Sequence, residues 1–319
     1  MFTSRGRHKR STGRRHLAGV ASAVLVLAVA GTSAAQAAPS SKCVAAKGEV
    51  RTQSGTATCE AFGKGSVAIV QGENSTATAT GGDRNKARVK GDNSTAEASL
   101  GTGNTATVTG DNSSAIATTG DGNTATVTGD NSGAGAFEGD GNTATVTGND
   151  SLAEADSGNN NTATATGDGS TADADSGYNN TATATGGGSA DADSGYNNTA
   201  TATGSGSDAY AGTGDNNTAT ATGSGSNIVV AGHGDNNTAT ATGDENTATA
   251  AFGDNNTATV TGDGSLAHAS DGDNNTATVD GNDSDDTAGV GNDNTATSNG
   301  DGCSTNATGG DNLVDDTCN

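Results

Sequence analysis

The chain has 319 residues, with 51 glycines, one proline, no tryptophan and 2% aromatic residues, and a formal net charge of −23. Six of the 14 Lys and Arg lie in the first 15 residues and none of the 37 Asp and Glu does, so from residue 38 onward the balance is 8 − 37 = −29. Such a surface excludes nucleic acid and anionic membrane as partners of its acidic part, and this much Gly, Thr and Asn excludes a helical fold.

In chain order, residues 1–37 read as a signal peptide. Arg5, Arg7, Lys9, Arg10, Arg14 and Arg15 form its positive region, LAGVASAVLVLAVAG its apolar stretch, and Ala35-Gln36-Ala37 a small-x-small cleavage site. Arg14-Arg15 is compatible with twin-arginine export, although His16-Leu17 matches that signal weakly. No second apolar run follows, so no later membrane span is expected and the chain reads as secreted or envelope-associated. Residues 38–65 form an expected N-terminal cap carrying Cys43 and Cys59.

The body, residues 66–302, is periodic. The phrase NTATVTG and its variants NTATATG, NTATVDG and NTATSNG recur with their first threonine at 105, 124, 143, 162, 181, 199, 218, 238, 257, 276 and 295. The steps are 19 except for one of 18 (181 to 199) and one of 20 (218 to 238). A looser phrase lies between successive copies, as in NSSAIAT, DSLAEAD, GSTADAD and GSLAHAS. A fixed period of this size marks a stacked-repeat architecture. Both phrases alternate with period two, Thr105, Thr107 and Thr109 outward and Ala106 and Val108 inward, which predicts strands. GDGN, GDNN, GDNS, GSGS and SGYN supply the turns.

One coil therefore holds two short strands and two turns, and only stacking buries its alanines. The expected fold is all-β: a parallel two-sheet β-solenoid (β-roll) of about 19 residues per coil. Val108, Val127, Val146, Val260 and Val279 are its larger inward residues. Disorder is the competing reading of a polar, charged chain, but it does not preserve alternation in register over eleven coils.

The C-terminal cap is expected at 303–319 with Cys303 and Cys318. Export favours disulfides, and the shortest loops give Cys43–Cys59 and Cys303–Cys318, one staple at each exposed sheet edge. No C-x-x-C spacing suggests a metal site. Lys86, Arg88 and Lys90 fill the three Thr slots one coil before Thr105, where they could dock on an acidic coil or on an anionic cell-wall polymer. Lys90 is the last basic residue.

The two faces differ. The first carries Thr at three outward slots on nine successive coils: Thr105, Thr107, Thr109; Thr124, Thr126, Thr128; Thr143, Thr145, Thr147; Thr162, Thr164, Thr166; and Thr181, Thr183, Thr185. It continues through Thr199, Thr201, Thr203; Thr218, Thr220, Thr222; Thr238, Thr240, Thr242; and Thr257, Thr259, Thr261. It decays at Thr276, Thr278, Asp280 and at Thr295, Thr297, Asn299. The second face is expected to present a mixture outward: Glu154, Asp156, Asp173, Asp175, Tyr210, Val229 and His268.

With ~6.5–7 Å between slots and ~4.7–4.8 Å between coils, nine to eleven coils give a flat grid roughly 45–50 Å long, close to the oxygen spacing on faces of hexagonal ice. These Thr-x-Thr-x-Thr arrays resemble those of the β-solenoid antifreeze proteins of insects over residues 105–261, though coil lengths differ and the caps are not covered. The resemblance implies that the named threonines hold an ice-like water layer and that an ice surface is the partner. Against it stands the plain structural role of Thr, a β-branched residue that stabilises sheets by cross-strand pairing. A purely structural preference should act on both faces.

A second resemblance is carried by NSTATATGG, GDNSTAEAS and GDNSSAIATTG, which are similar to the head repeats of trimeric autotransporter adhesins, also parallel β-rolls. It implies an adhesive or envelope role with host, cell-surface or envelope glycans as partners, but no coiled-coil stalk or anchor domain follows the repeats. Calcium is disfavoured. The nonapeptide roll needs Asp at its sixth position, where GDGNTATVT has Ala125, and Asp111, Asp130, Asp150 and Asp168 would at most gather a screening cloud of cations. His233 and His268, expected on different faces, have no repeating partner, and a flat roll offers no cleft, so no enzyme, cofactor or catalytic residue is expected. The N-N-T triplets read as turn formers rather than glycosylation sites.

Overall fold

The computed structural model describes residues 41–318, with side chains through Asp316. The expected signal peptide and its cleavage site, and the side chain of Cys318, lie outside the described residues. Alternating Thr and Ala with β-branched outward positions suit a pleated, half-buried strand, and that is what forms. Thr124–Thr128 pairs parallel, residue for residue, with Thr105–Thr109 on one side and Thr143–Thr147 on the other. Repetition of that contact builds a 16-stranded sheet, here the first sheet. The looser phrases build a second, 14-stranded sheet running from Thr58–Ala61 to Ser304–Thr308. The chain is thus an all-β parallel solenoid, and no helix occurs among the described residues.

The interior is almost pure alanine. In one coil Ala125 and Val127 from the first sheet face inward with Ala134 and Ala136 from the second, and none is more than 4% exposed. The valines expected inward at 108, 127, 146, 260 and 279 are all buried. Methyl-sized residues leave a thin slab of apolar contact, so hydrogen bonds along the turns carry unusual weight in this fold.

Four strands form the N-terminal end: β1 (Lys42–Ala46), β2 (Glu49–Ser54), β3 (Thr58–Ala61) and β4 (Val67–Gln71). β1 runs antiparallel to β4, and β2 folds back antiparallel on β1 as a hairpin at the edge of the first sheet. Cys43 in β1 is disulfide-bonded to Cys59 in β3, so the staple crosses from the first sheet to the second. Cys303 is not free. The segments expected as caps are themselves wound into the sheets. β3 pairs parallel with β5 (Thr76–Ala79), while Ser304–Thr308 and Val314–Cys318 extend the second and first sheets.

Hydrogen-bond ladders run up the inside and the outside of both turns at the coil spacing. Beside the first sheet, the asparagine that opens each Thr phrase points inward: Asn104, Asn123, Asn142 and Asn161 are all fully buried. The Oδ1 of Asn104 accepts the N–H of Asn123, and its amide donates to the carbonyls of Ser99 and Gly120. At the opposite turn serine does similar work, Ser113 donating to the carbonyls of Asp111 and Gly129 while accepting the N–H of Ser132. On the outside of both turns an Asp or Asn accepts the N–H of its counterpart one coil earlier, as in Asp92 to Asp111 and Asp111 to Asp130 (2.7 and 2.8 Å).

The next rung of that outer ladder is Asn149, not Asp150 as the spacing suggested. Asp150 instead takes a left-handed conformation, φ 54°, in the turn. The first Asn of each N-N-T triplet does likewise, Asn160 and Asn179 both having φ 58°.

Candidate functional site: the threonine face

Pairing in register is what turns a repeated phrase into a surface. Thr107 lies beside Thr126, Thr126 beside Thr145, and so on through Thr164, Thr183, Thr201, Thr220, Thr240 and Thr259. The columns headed by Thr105 and Thr109 are built by the same pairings. Even the 18- and 20-residue steps leave the columns intact, because Thr181 still pairs with Thr199 and Thr218 with Thr238. The first two columns are half-buried by their neighbours, whereas the third is exposed on all but one of the nine strands, Thr185 being half-buried.

Every residue between these threonines is inward Ala or Val, so the nine strands from Thr105–Thr109 to Thr257–Thr261 present no charged side chain on this face. Eight strand intervals make it ~38 Å long, with slots ~6.5–7 Å apart along each strand. The array stops where Thr261 meets Asp280, and then Asn299, in the third column. At the other end it stops at β6 (Lys86–Lys90), whose Lys86, Arg88 and Lys90 lie beside Thr105, Thr107 and Thr109. On the far side of β6 those three residues meet Val67, Ile69 and Gln71, so neither strand that flanks them among the described residues is acidic.

The second sheet has no such constancy. Its middle outward column reads Glu97, Ile116, Gly135, Glu154, Asp173, Asp191, Tyr210, Val230, Thr249 and His268. Val230, not Val229, holds the outward slot, and Val229 is 1% exposed. The 20-residue coil explains the difference. Its turn after Thr222 has one extra residue, and a one-residue shift in a period-two strand exchanges the two faces. His268 is on this outward column, bonded to the hydroxyl of Ser270, while His233 sits in a turn, stacked on Phe252 at 4.8 Å.

Three consecutive carboxylates stack in that column, Glu154 beside Asp173 and Asp173 beside Asp191. Partial burial, reinforced by the neighbouring carboxylates Asp175, Asp191, Glu154 and Asp156, pushes Asp173 up to about 8. Burial and then Asp193, Asp175 and Asp208 push Asp191 up to about 7. Glu154 and Asp156 are raised for the same reasons, burial first. Tyr210 continues the column and donates its hydroxyl to Asp193 at 3.2 Å. No cluster of His, Cys, Asp and Glu among the described residues has the geometry to hold a metal ion.

The buried asparagine ladder was not legible as such, since Asn beside Gly reads first as turn chemistry. A signal did exist: a turn former can be Asn, Asp or Gly, yet every Thr phrase from 105 to 295 is preceded by Asn alone. No helix among the described residues is long and apolar enough to cross a membrane. No protein-family model matches the chain, and no curated protein matches it.

Proposed function

We propose that the protein is a secreted, non-enzymatic ice-binding protein acting through the threonine face of its first sheet. The observation that carries this reading is the in-register pairing of Thr-x-Thr-x-Thr over nine consecutive strands, which gives one uncharged array of methyl and hydroxyl groups in three columns. The fold does not require threonine at these slots. The same first-sheet strand forms with Val67, Ile69 and Gln71 outward in β4 and with Lys86, Arg88 and Lys90 outward in β6. The second sheet forms with Gly, Leu, Asp, Tyr or Ile there. Thr occurs singly or in pairs on the second sheet, as at Thr171 and at Thr247 and Thr249, but fills all three slots on nine successive strands only on the first. That unbroken recurrence calls for a reason beyond strand propensity, and a rigid lattice partner supplies one.

The test is thermal hysteresis and inhibition of ice recrystallisation by the wild type and by Thr183→Lys and Thr201→Lys, with Thr171→Lys on the second sheet as the control. Loss of activity in the first two and retention in the third is expected. A folded wild type that neither shapes ice nor slows recrystallisation at high concentration, while binding cells or glycans, overturns the reading in favour of an adhesive or envelope scaffold.

A further inference from the structure

Within the described chain every Lys and Arg falls between Lys42 and Lys90: Lys42, Lys47, Arg51, Lys64, Arg84, Lys86, Arg88 and Lys90. Acids 41–90 number four, Glu49, Glu60, Glu73 and Asp83, so this end carries 8 − 4 = +4, against 0 − 33 = −33 for residues 91–319. The fold gathers these cations further. Lys86, Arg88 and Lys90 project from one strand, all exposed. Lys90 and Lys42 flank Gln71 in a single column, and Arg84 stands one coil above Lys64 in the turn leading into β6, its N–H bonded to the Lys64 carbonyl.

The cations serve no structural purpose visible in their surroundings. The ladder neighbours of Lys86, Arg88 and Lys90 are Val67, Ile69, Gln71 and three threonines. Of the carboxylates nearby, Asp83 accepts the N–H of Lys64 and Asp92 that of Glu73.

We propose that this N-terminal basic cluster is a docking site for a linear anionic glycopolymer of the cell-wall type. Cations spaced ~6.5–7 Å along β6, with Lys64 and Arg84 on adjacent coils in the turn that leads into it, match a chain bearing charge at regular intervals, and release of its counterions drives association. The site is bounded. Beyond Lys90 the rod carries only negative charge, so a polyanion is held at one end and repelled from the rest, with repulsion fading over ~8 Å at physiological ionic strength. The threonine array begins one strand beyond this site, at Thr105–Thr109.

The experiment measures binding of the chain from residue 38 to wall teichoic acid (phosphodiester charge) and to polygalacturonate (carboxylate charge) between 20 and 200 mM salt. Binding to either supports the proposal, and the tighter of the two identifies the anion. The triple variant Lys86→Thr, Arg88→Thr, Lys90→Thr installs the residues of the next coil and so retains the fold. It should bind about 30-fold or more weakly, with a log–log salt slope about 2 shallower. Arg84→Gly, which places in this turn the residue found at Gly103 and Gly122, should weaken binding about threefold. Three results overturn the proposal: no binding by the wild type at the lowest salt, unchanged binding by the triple variant, or tighter binding to RNA or anionic lipid vesicles than to either polymer. The ice assays are independent of these outcomes.

Discussion

The Oδ1 of Asn142 accepts the backbone N–H of Asn161 at 3.0 Å, while its amide donates to the carbonyls of Phe137 and Gly158. One fully buried side chain thus satisfies three backbone groups, one in its own coil and two in the next, in a core whose alanines supply little apolar area each. Asn142→Ala leaves one donor and two acceptors without partners. A loss of roughly 2–4 kcal/mol is expected from the cost of unsatisfied buried groups. Urea unfolding followed by circular dichroism measures it. A midpoint within error of wild type would show that water takes over all three bonds.

Glycine at the coil junctions is a second test of stacking. A Cβ on Gly129 would lie 1.9 Å from the carbonyl oxygen of Gly148 in the next coil, whereas one on Gly122 meets nothing within 4 Å. Both have positive φ, 143° and 73°. Gly122→Ala should cost about 1 kcal/mol for its backbone conformation alone, and Gly129→Ala about 3 kcal/mol or more because the coils must part. Equal costs would mean that the coils are not stacked so closely.

The carboxylate column on the second sheet makes stability fall as pH rises. Asp173 and Asp191 are raised in the folded state, to about 8 and about 7, so between their unfolded range and those values the native protein holds protons that the unfolded chain has released. Stability should be greatest near pH 4–5 and decline through pH 8, on the order of a few kcal/mol in total. Melting curves at pH 5 and pH 9 test the direction, and Asp173→Asn should flatten the profile. A stability that increases from pH 5 to pH 9 would contradict the burial of these groups.

Removal of the Cys43–Cys59 disulfide, which closes a separation of 16 residues, should cost about 3 kcal/mol by the loop-entropy relation. Because the bond ties β1 to β3 at one end of the rod, hydrogen exchange in Cys43→Ser/Cys59→Ser should quicken first in residues 42–79 and leave the strands around Thr183 protected. Uniform loss of protection would show that the solenoid opens as one unit.

The period of 19 and the alternation Thr-Ala-Thr-Val-Thr determine by themselves that the chain stacks into coils with alanine inside and threonine on one face, since side-chain direction in a strand depends only on position parity. The same local logic placed Lys86, Arg88 and Lys90 in the threonine slots. It failed at Val229, where one extra turn residue exchanged inside for outside, because parity counted from a neighbouring coil is lost when a turn lengthens. Only the tertiary structure decided that Asn142 and its counterparts turn inward, that Asn149 rather than Asp150 continues the outer ladder, and that Glu154, Asp173 and Asp191 share a column. Each depends on which residue of one coil lies over which residue of the next. That registry is held by hydrogen bonds from backbone N–H groups to asparagine side chains 18 to 20 residues away, and no local pattern contains it.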